Sequence, residues 1–514
     1  MAQAISEAKV GGQKVAIRVG KQVIDILTTG MYSNPLMVLR EYIQNSVDAI
    51  DAAVGARQMA HGAGTVIVTL DGAARSLQVA DNGTGVPHDE VVSTLCSLGC
   101  SAKDAKRSRG FRGIGRLGGI GYSDHLQFET RSNASERVAT VEWDCRTLRQ
   151  ILIQKTRTPI EEALQNSVTV TYRRGGPNDP KRFMRVIMSG IQPFHRDELM
   201  SPPAVASYLG QVAPVPFDKE SFRWGADVNK HIQNVPGYAT YKVILNGHQV
   251  FRPHTTRFEV SAGQADTIQD IETFEVHGHD GQSLGRGWYA KTSCLASIPP
   301  RVKMRGIRVR QGNIEVGGEY FLEEAFAERR FATWHIGEIH VDHRLKTNAR
   351  RDGFEQSPDY EAFLEQAASL GKHLSQECRS ASKQRSGQIS VERALCGLES
   401  ATARNLFVDE AHLETKWAEI MAVLKRLNTA RKAGSLDSSK GKRLYRCEMR
   451  LAAMLKNPCF LRDAIDCRTI QHMSRTDLLT VLAGALLNHD KGRGDREGLL
   501  RTVLAPYLKP RYSH

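Results

Sequence analysis

From Gly110 to Gly121, six of twelve residues are glycine, and Arg109, Arg112 and Arg116 stand among or beside them. A helix interior loses roughly 1 kcal/mol for each glycine, so this stretch cannot be an ordinary helix. A hinge would explain the glycines alone. A loop that cradles phosphate and leads into a helix N-terminus explains glycines and arginines together. Taken from Gly99 to Tyr122, the segment has the make-up of a lid that closes over a nucleotide.

Two stretches upstream bear on that reading. In Leu36 to Ala53, with Val54, the residues Leu39, Ile43, Val47, Ile50 and Val54 fall on one side of a helix. Glu41, Asn45 and Asp48 stand at i, i+4 and i+7 on the other side. Asn34-Pro35 supplies a cap and a first-turn proline. Such a face is either solvated or turned into a nucleotide cleft. Further on, Thr65–Leu70 and Ser76–Ala80 read as a hairpin turned at Asp71-Gly72. Its second strand runs into Asp81-Asn-Gly83-Thr-Gly85, which is either a plain turn or a place where backbone comes close to a ligand. Residues 14–29, ending at Gly30, and residues 88–99 are expected to be helical, and Val168–Tyr172 is expected to be the strand that closes the first domain. Gly175-Gly-Pro177 marks the expected boundary.

Glu41-x-x-x-Asn45-x-x-Asp48-Ala49, Asp81-Asn-Gly-Thr-Gly85 and the 110–121 loop, in that order, resemble the three boxes of the GHKL ATPase superfamily of gyrase B, heat shock protein 90, histidine kinase and MutL. The resemblance covers residues 15–172. It implies an α+β chain whose domain 1–175 is a Bergerat-type α/β sandwich that binds ATP and Mg²⁺. Glu41 would be the general base, Asn45 the Mg²⁺ ligand and Asp81 the reader of the adenine amine. Asp48 and Gly83 belong to the same boxes, Gly85 lets the base approach, and Lys103 lies near the phosphates. Gly113, Gly115, Gly118, Gly119 and Gly121 would wrap those phosphates. Ser167, in Asn166-Ser167 where the family has Gly-Thr, would support the base. Ile114–Ser123 is similar to the lid of the heat shock protein 90 branch, although Gly110-Phe-Arg-Gly113 is also similar to MutL. Leu345–Asp352 resembles that branch's middle-domain loop, which makes Arg351, with Arg350 as the fallback, the residue that reaches the γ-phosphate. The implied activity is that of an ATP-hydrolysing chaperone or conformational clamp. The other superfamily reading is a DNA-acting ATPase of MutL or chromatin-compacting type.

Domains are expected at 1–175, 176–358 (α+β, transducer-like) and 359–514 (mainly helical, with helices at 410–432, 440–456 and 475–488). Tyr241–Phe251 forms a hairpin around Asn246-Gly247. In 306–312 apolar and basic residues alternate, so that Arg301, Lys303, Arg305, Arg308 and Arg310 would face a nucleic acid, an acidic partner or solvent. Net charge is +14, and +11 of it falls in residues 371–514, which leaves nucleic acid as one partner for the tail. A client or partner protein and a homodimer are the expectations that come with the chaperone branch. Nine scattered cysteines without a Cys-x-x-Cys pair suit reduced thiols in the cytoplasm, and neither His277-Gly-His279 nor His340-x-x-His343 reads as a metal set. No apolar run reaches the length of a membrane span.

Overall fold

A computed structural model describes residues 4–10, 13–19, 34–96, 115–133, 135–153, 166–194, 196–348, 351–403 and 410–458. Two compact units divide the chain, Met1–Arg379 and Ser380–His514. The first unit holds two large sheets, and the mixed α+β class expected from the sequence is the class observed.

The larger sheet is assembled from β1 (Ala4–Val10), β2 (Gln13–Val19), β3 (Thr65–Asp71), β4 (Ser76–Asp81), β5 (His125–Arg131), β6 (Arg137–Asp144), β7 (Val168–Arg174), β8 (Phe183–Ser189), β9 (Lys242–Leu245) and β10 (His248–Gln249). Its order is β10-β9-β3-β4-β8-β5-β6-β7-β1-β2. The pleat explains the composition: in β3, Val66, Val68 and Leu70 are buried while Thr65, Ile67 and Thr69 alternate with them on the wetter side. Leu77, Val79 and Asp81 of β4 face the same way, paired with Leu70, Val68 and Val66. Across that face lies α1 (Met37–Gly55), with Leu39, Ile43, Val47 and Ile50 buried as the periodicity requires. The helix is capped at Leu36 without a side-chain bond, and Asn34, the expected cap, forms the turn before it, its Oδ1 accepting from Leu36 N–H at 2.9 Å.

Three expectations change here. Residues 13–19 are a strand, because Val15, Ile17 and Val19 satisfy a period of two as well as a turn of helix; residues 20–33 lie outside the described set. In 88–99, the described part is a short 3-10 turn (His88–Glu90) followed by a π turn (Val92–Cys96). The sheet also does not end near residue 175. β8 is inserted between β4 and β5, and the Asn246-Gly247 hairpin, with φ of 45° and 85° at its turn, adds β9 in parallel to β3. Asn246 fastens it, its Oδ1 accepting from Leu70 N–H at 2.8 Å. The first sheet therefore draws on residues up to about Gln249, well inside the span expected for a second domain.

In the chain, α2 (Cys145–Ile153) follows β6, and α3 (Pro202–Val212) and α4 (Gly225–Ile232) come between β8 and β9. A two-stranded piece, β11 (Arg257–Ser261) and β12 (Gln264–Thr267), precedes the second sheet. That sheet consists of β13 (Asp270–His277), β14 (Ser283–Lys291), β15 (Gly306–Gln311), β16 (Ile314–Val316) and β17 (Ile336–Val341) in the order β13-β14-β17-β15-β16. The alternating arginines of β15 face neither solvent nor an outside partner. Arg305, Arg308 and Arg310 are each 5 % exposed or less, and they pair with Glu319, Glu315 and Glu338.

The 45-residue helix α5 (Pro358–Thr402) leaves the first unit and enters the second, where α6 (Glu410–Lys432) and α7 (Ser438–Lys456) match the expected helices. Leu395, Leu398, Ile420, Leu427, Leu444, Cys447, Leu451 and Met454 form the core of that unit. The expected helix at 475–488 lies outside the described residues. Among the described residues no helix is long and apolar enough to cross a membrane.

Candidate nucleotide site

The exposed residues of α1 decide where a site can be. Val38, Leu39, Arg40, Tyr42, Ile43, Gln44, Ser46 and Val47 are all buried, whereas Glu41, Asn45 and Asp48 remain partly accessible. A helix buried on nearly every side keeps one polar strip open, and that strip is the one with two carboxylates and an amide. Glu41 has only 14 % of its side chain exposed and stands 3.9 Å from Arg40 Nε.

The second box docks directly on this helix. Thr84 N–H donates to Ala49 O at 3.2 Å, and Gly83 N–H donates to Asp81 Oδ1 at 2.9 Å. A Cβ on Gly83 would stand 2.7 Å from the Ala49 backbone, closer than atoms pack, so only glycine lets the turn lie on the helix. Gly85 adopts φ +64°, and a Cβ there would meet the Arg131 carbonyl oxygen at 1.9 Å. Asn82 holds the turn from behind, accepting from Thr65 N–H at 2.9 Å and donating to Ala63 O at 3.0 Å. Asp81 itself is 6 % exposed, on the helix-covered face of the sheet. The turn is thus tied to α1 within one residue of Asp48.

Of the glycine-rich segment, residues 115–121 are described, as a 3-10 turn with Gly118 and Gly119 buried. Gly119 N–H donates to the Tyr42 hydroxyl at 3.1 Å, and burial pushes that phenol far above its usual range, so it stays protonated. A Cβ on Gly115 would lie 2.2 Å from Glu41 Oε2, which places the backbone of this segment directly over the Glu41 carboxylate. Gly121 is exposed, with open space where a Cβ would be. Lys103 and Gly113 lie outside the described residues.

Ser167 is not brought to Asp81. The ladder places Asp81 in one row with Met184, Thr130, Ala139 and Tyr172, on β8, β5, β6 and β7. Ser167 precedes Val168 at the other end of β7, five residues from Tyr172 and with three strands between it and β4. The residue opposite Asp81 is Met184, and the nearest buried hydroxyl in the row is Thr130, which donates to Phe183 O at 3.0 Å and accepts from Val86 N–H at 2.9 Å. Sequence reasoning missed these because the strand that lies beside Asp81 comes more than a hundred residues after it.

Arg351 lies in the tight loop closed by the Thr347–Phe354 bridge, with φ 55°. Its N–H donates to Asn348 O at 3.2 Å, its carbonyl accepts from Gly317 N–H at 3.4 Å, and Asn348 Nδ2 donates to Asp352 Oδ1 at 2.6 Å. Arg350 is outside the described residues.

Residues 32–171 match the family described as histidine kinase-, DNA gyrase B- and HSP90-like ATPase. Among curated proteins, the chaperone protein HtpG of Methylibium petroleiphilum is 31% identical over 142 residues, 24% of this chain and 23% of that protein. HtpG of Aromatoleum aromaticum is 25% identical over 178 residues, 31% of this chain and 27% of its own. HtpG of Mycobacterium bovis is 32% identical over 140 residues, 23% and 22% of the two chains. The chain thus spans about a quarter of the length of the curated relatives it matches. Its N-terminal region is of the GHKL ATPase type and is heat shock protein 90-like.

Proposed function

We propose that this protein binds and hydrolyses ATP as a molecular chaperone or conformational clamp of the heat shock protein 90 type. The observation that carries this reading is the docking of the Asp81–Gly85 turn on α1 at Ala49, with Gly115 lying over Glu41. One open polar strip is bounded on one side by a buried carboxylate and on the other by glycine backbone.

Asp81, at the end of a buried strand, accepts from the adenine amine, and the close turn at Gly83 and Gly85 lets the base reach it. The partly accessible Asn45 amide, one turn from Glu41, is a hard oxygen donor that suits Mg²⁺ among phosphates. When bound, that ion neutralises phosphate charge. Glu41 orients the attacking water and takes its proton, in a setting where the helix excludes most solvent. Arg351 completes the site from its own loop by stabilising charge on the transferred group once the lid segment closes. Clients, a homodimer and a cytoplasmic setting belong to this proposal. A DNA-acting ATPase is the second reading, favoured by the +11 charge of residues 371–514. The arginines of β15 add nothing to it, since they are buried.

Calorimetric titration of the full chain with a non-hydrolysable ATP analogue, alongside turnover, tests the assignment. Asp81→Asn is expected to lose binding. Glu41→Ala is expected to bind as the parent does while losing ~10²–10⁴-fold in turnover. Arg351→Ala is expected to keep its affinity and to slow hydrolysis by a factor approaching ~10³. Undiminished binding in Asp81→Asn would remove that residue from the site. Tight duplex-DNA binding with a steep salt dependence would favour the second reading.

A further inference from the structure

Cys294, His335 and Cys378 are far apart in the chain and belong to three elements: the loop after β14, the residue before β17, and α5. Their ligand atoms all lie within 4.8 Å of one another, and no other such group of three occurs among the described residues. Exposure is 9 %, 2 % and 0 %. His335 Nε2 stands 3.2 Å from Cys378 Sγ.

Cys294 and His335 are each held by something outside the group of three. The Cys294 backbone takes a left-handed φ of 45°, and its N–H donates to Thr292 Oγ1 at 3.2 Å, so the loop folds back on itself at the thiol. The next residue back, Ser293, donates its N–H to Asp266 at 3.2 Å. The His335 ring stacks on Phe326, 5.8 Å between centroids and 23° between planes, and also bonds to the backbone of Leu374. Outer contacts of that kind fix the ring and tautomer of metal-bound histidines. Cys378 sits one helical turn beyond Leu374 in α5.

We propose that Cys294, His335 and Cys378 form a zinc site. The distances suit the ion: with Zn–S near 2.3 Å and Zn–N near 2.0–2.1 Å, a tetrahedron has S···S edges of about 3.8 Å and S···N edges of about 3.6 Å. The His335–Cys378 edge of 3.2 Å must open by a few tenths of an ångström, and the other two edges, within 4.8 Å, close by up to about 1 Å to meet those values. Charge suits it too. Two thiols each release a proton on binding, and two thiolates balance Zn²⁺, so the buried centre is neutral. Two sulfurs and an imidazole favour zinc over magnesium or calcium, which take oxygen. Three protein ligands leave one coordination position for water. The ion would join the loop after β14, the entry to β17 and α5. This site is independent of the nucleotide assignment, and neither stands or falls with the other.

Metal analysis of the full chain, purified under reducing conditions and freed of any histidine tag, is expected to find one zinc per chain. Cys294→Ser, His335→Ala and Cys378→Ser should each reduce that to none, while Cys447→Ser, at a buried thiol in the second unit, should keep it. Replacing zinc by cobalt in the parent chain should give a thiolate-to-cobalt charge-transfer band and the intense visible bands of a tetrahedral ion. The parent should also melt earlier after treatment with a strong chelator, whereas Cys378→Ser should melt at the same temperature with or without it. A parent chain that takes up neither zinc nor cobalt overturns the proposal, and so does a cobalt spectrum without a thiolate band. If the three variants fail to fold, the cobalt spectrum of the parent decides alone. A Cys294–Cys378 disulfide in protein that binds no zinc would make the pair a redox element instead.

Discussion

In the ten-stranded sheet the inward row of β3 and β4 is Val66, Val68, Leu70, Leu77 and Val79, and Asp81 alone breaks it, at the candidate site. In the five-stranded sheet the corresponding inward row of β15 and β17 is Arg308, Arg310, Glu338 and His340, and the apolar Ile307, Val309 and Ile339 lie on the opposite face. Both rows are dry. Glu338, fully buried, receives Arg310 Nε at 2.7 Å, His340 Nε2 at 3.0 Å and the Arg252 guanidinium. Arg252 lies 4.4 Å over the Phe217 ring, and its other end reaches Asn313, which in turn donates to Ala239 O at 2.7 Å. Arg310 also donates to Asn313 O at 3.1 Å and to Gln211 O of α3. The first row is thus held by area removed from water, whereas the second sheet adds to its own apolar core a buried set of mutually satisfied charges. The difference is in how each fails. An apolar core loses energy in proportion to what is removed. A buried ionic core loses little when it is replaced whole and much when one member is taken away.

The largest effect should come from taking that member. Glu338→Ala leaves Arg252 and Arg310 buried without their anion and is expected to cost about 3–5 kcal/mol in denaturant unfolding. Replacing Arg252, Glu338 and Arg310 together by apolar residues of similar volume should cost far less or stabilise the chain. Equal losses in the single and triple variants would mean that the pairing of these charges adds nothing to the packing of the second sheet.

Acid should separate the two sheets next. Burial holds His340 down at about 4 and His254, packed among Phe217, Phe222 and Trp288, at about 3, although Glu338 opposes both shifts. In the unfolded chain both titrate near 6.5. Between that value and about 4 the unfolded state therefore binds protons that the folded state refuses, so stability is full above pH ~6.5 and falls as the pH drops. Glu338 acts in the same direction. Burial alone would raise its pKa, but Arg252 and Arg310 hold it well below the usual carboxylate range, so its contribution is lost only on further acidification. Hydrogen exchange corrected for intrinsic rates should show β15 and β17 losing protection before β3 and β4. Simultaneous loss would deny the second sheet its own acid sensitivity.

The smallest effect should be on the wet side of the first sheet. Ile67 is 44 % exposed, and Ile67→Thr should change the melting free energy by less than about 0.5 kcal/mol. A loss well beyond that would show the outer face of β3 to be covered in solution.

The same comparison explains what could be read from the sequence. The first sheet's features were local. The α1 stripe, the Asp71 turn, whose carboxylate accepts from Ala73 and Ala74 N–H, and the Asn246-Gly247 hairpin each depend on residues a few positions apart. Glu41, Asn45 and Asp48 could be placed on one strip for the same reason. What could not be read depended on partners far away in the chain. Arg-x-Arg in β15 has the same alternation whether water or Glu315 and Glu338 lies opposite. Asn166-Ser167 fits a motif slot, yet the strand beside Asp81 is β8. Residues 14–19 carry too few positions to tell a period of two from a turn of helix. Cys294, His335 and Cys378 share no spacing at all, and only the fold brings them together.

The insertion of β8 between β4 and β5 also governs how the protein can be made. A ribosome delivers β3 to β7 before either β8 or the hairpin that flanks β3. Until then β4 and β5 have no common neighbour, and the open edges of both display unpaired N–H and C=O groups. From the end of β7 to the end of β10 is roughly 75 residues, which at roughly 5–20 residues per second takes about 4–15 s of synthesis. Only for the first 15 of those residues, from the end of β7 at Arg174 to the end of β8 at Ser189, is the nascent sheet split into two halves; the β3 edge stays open until the hairpin follows. A protein of this topology passes through its own synthesis as the kind of open-edged chain that other proteins' chaperones attend.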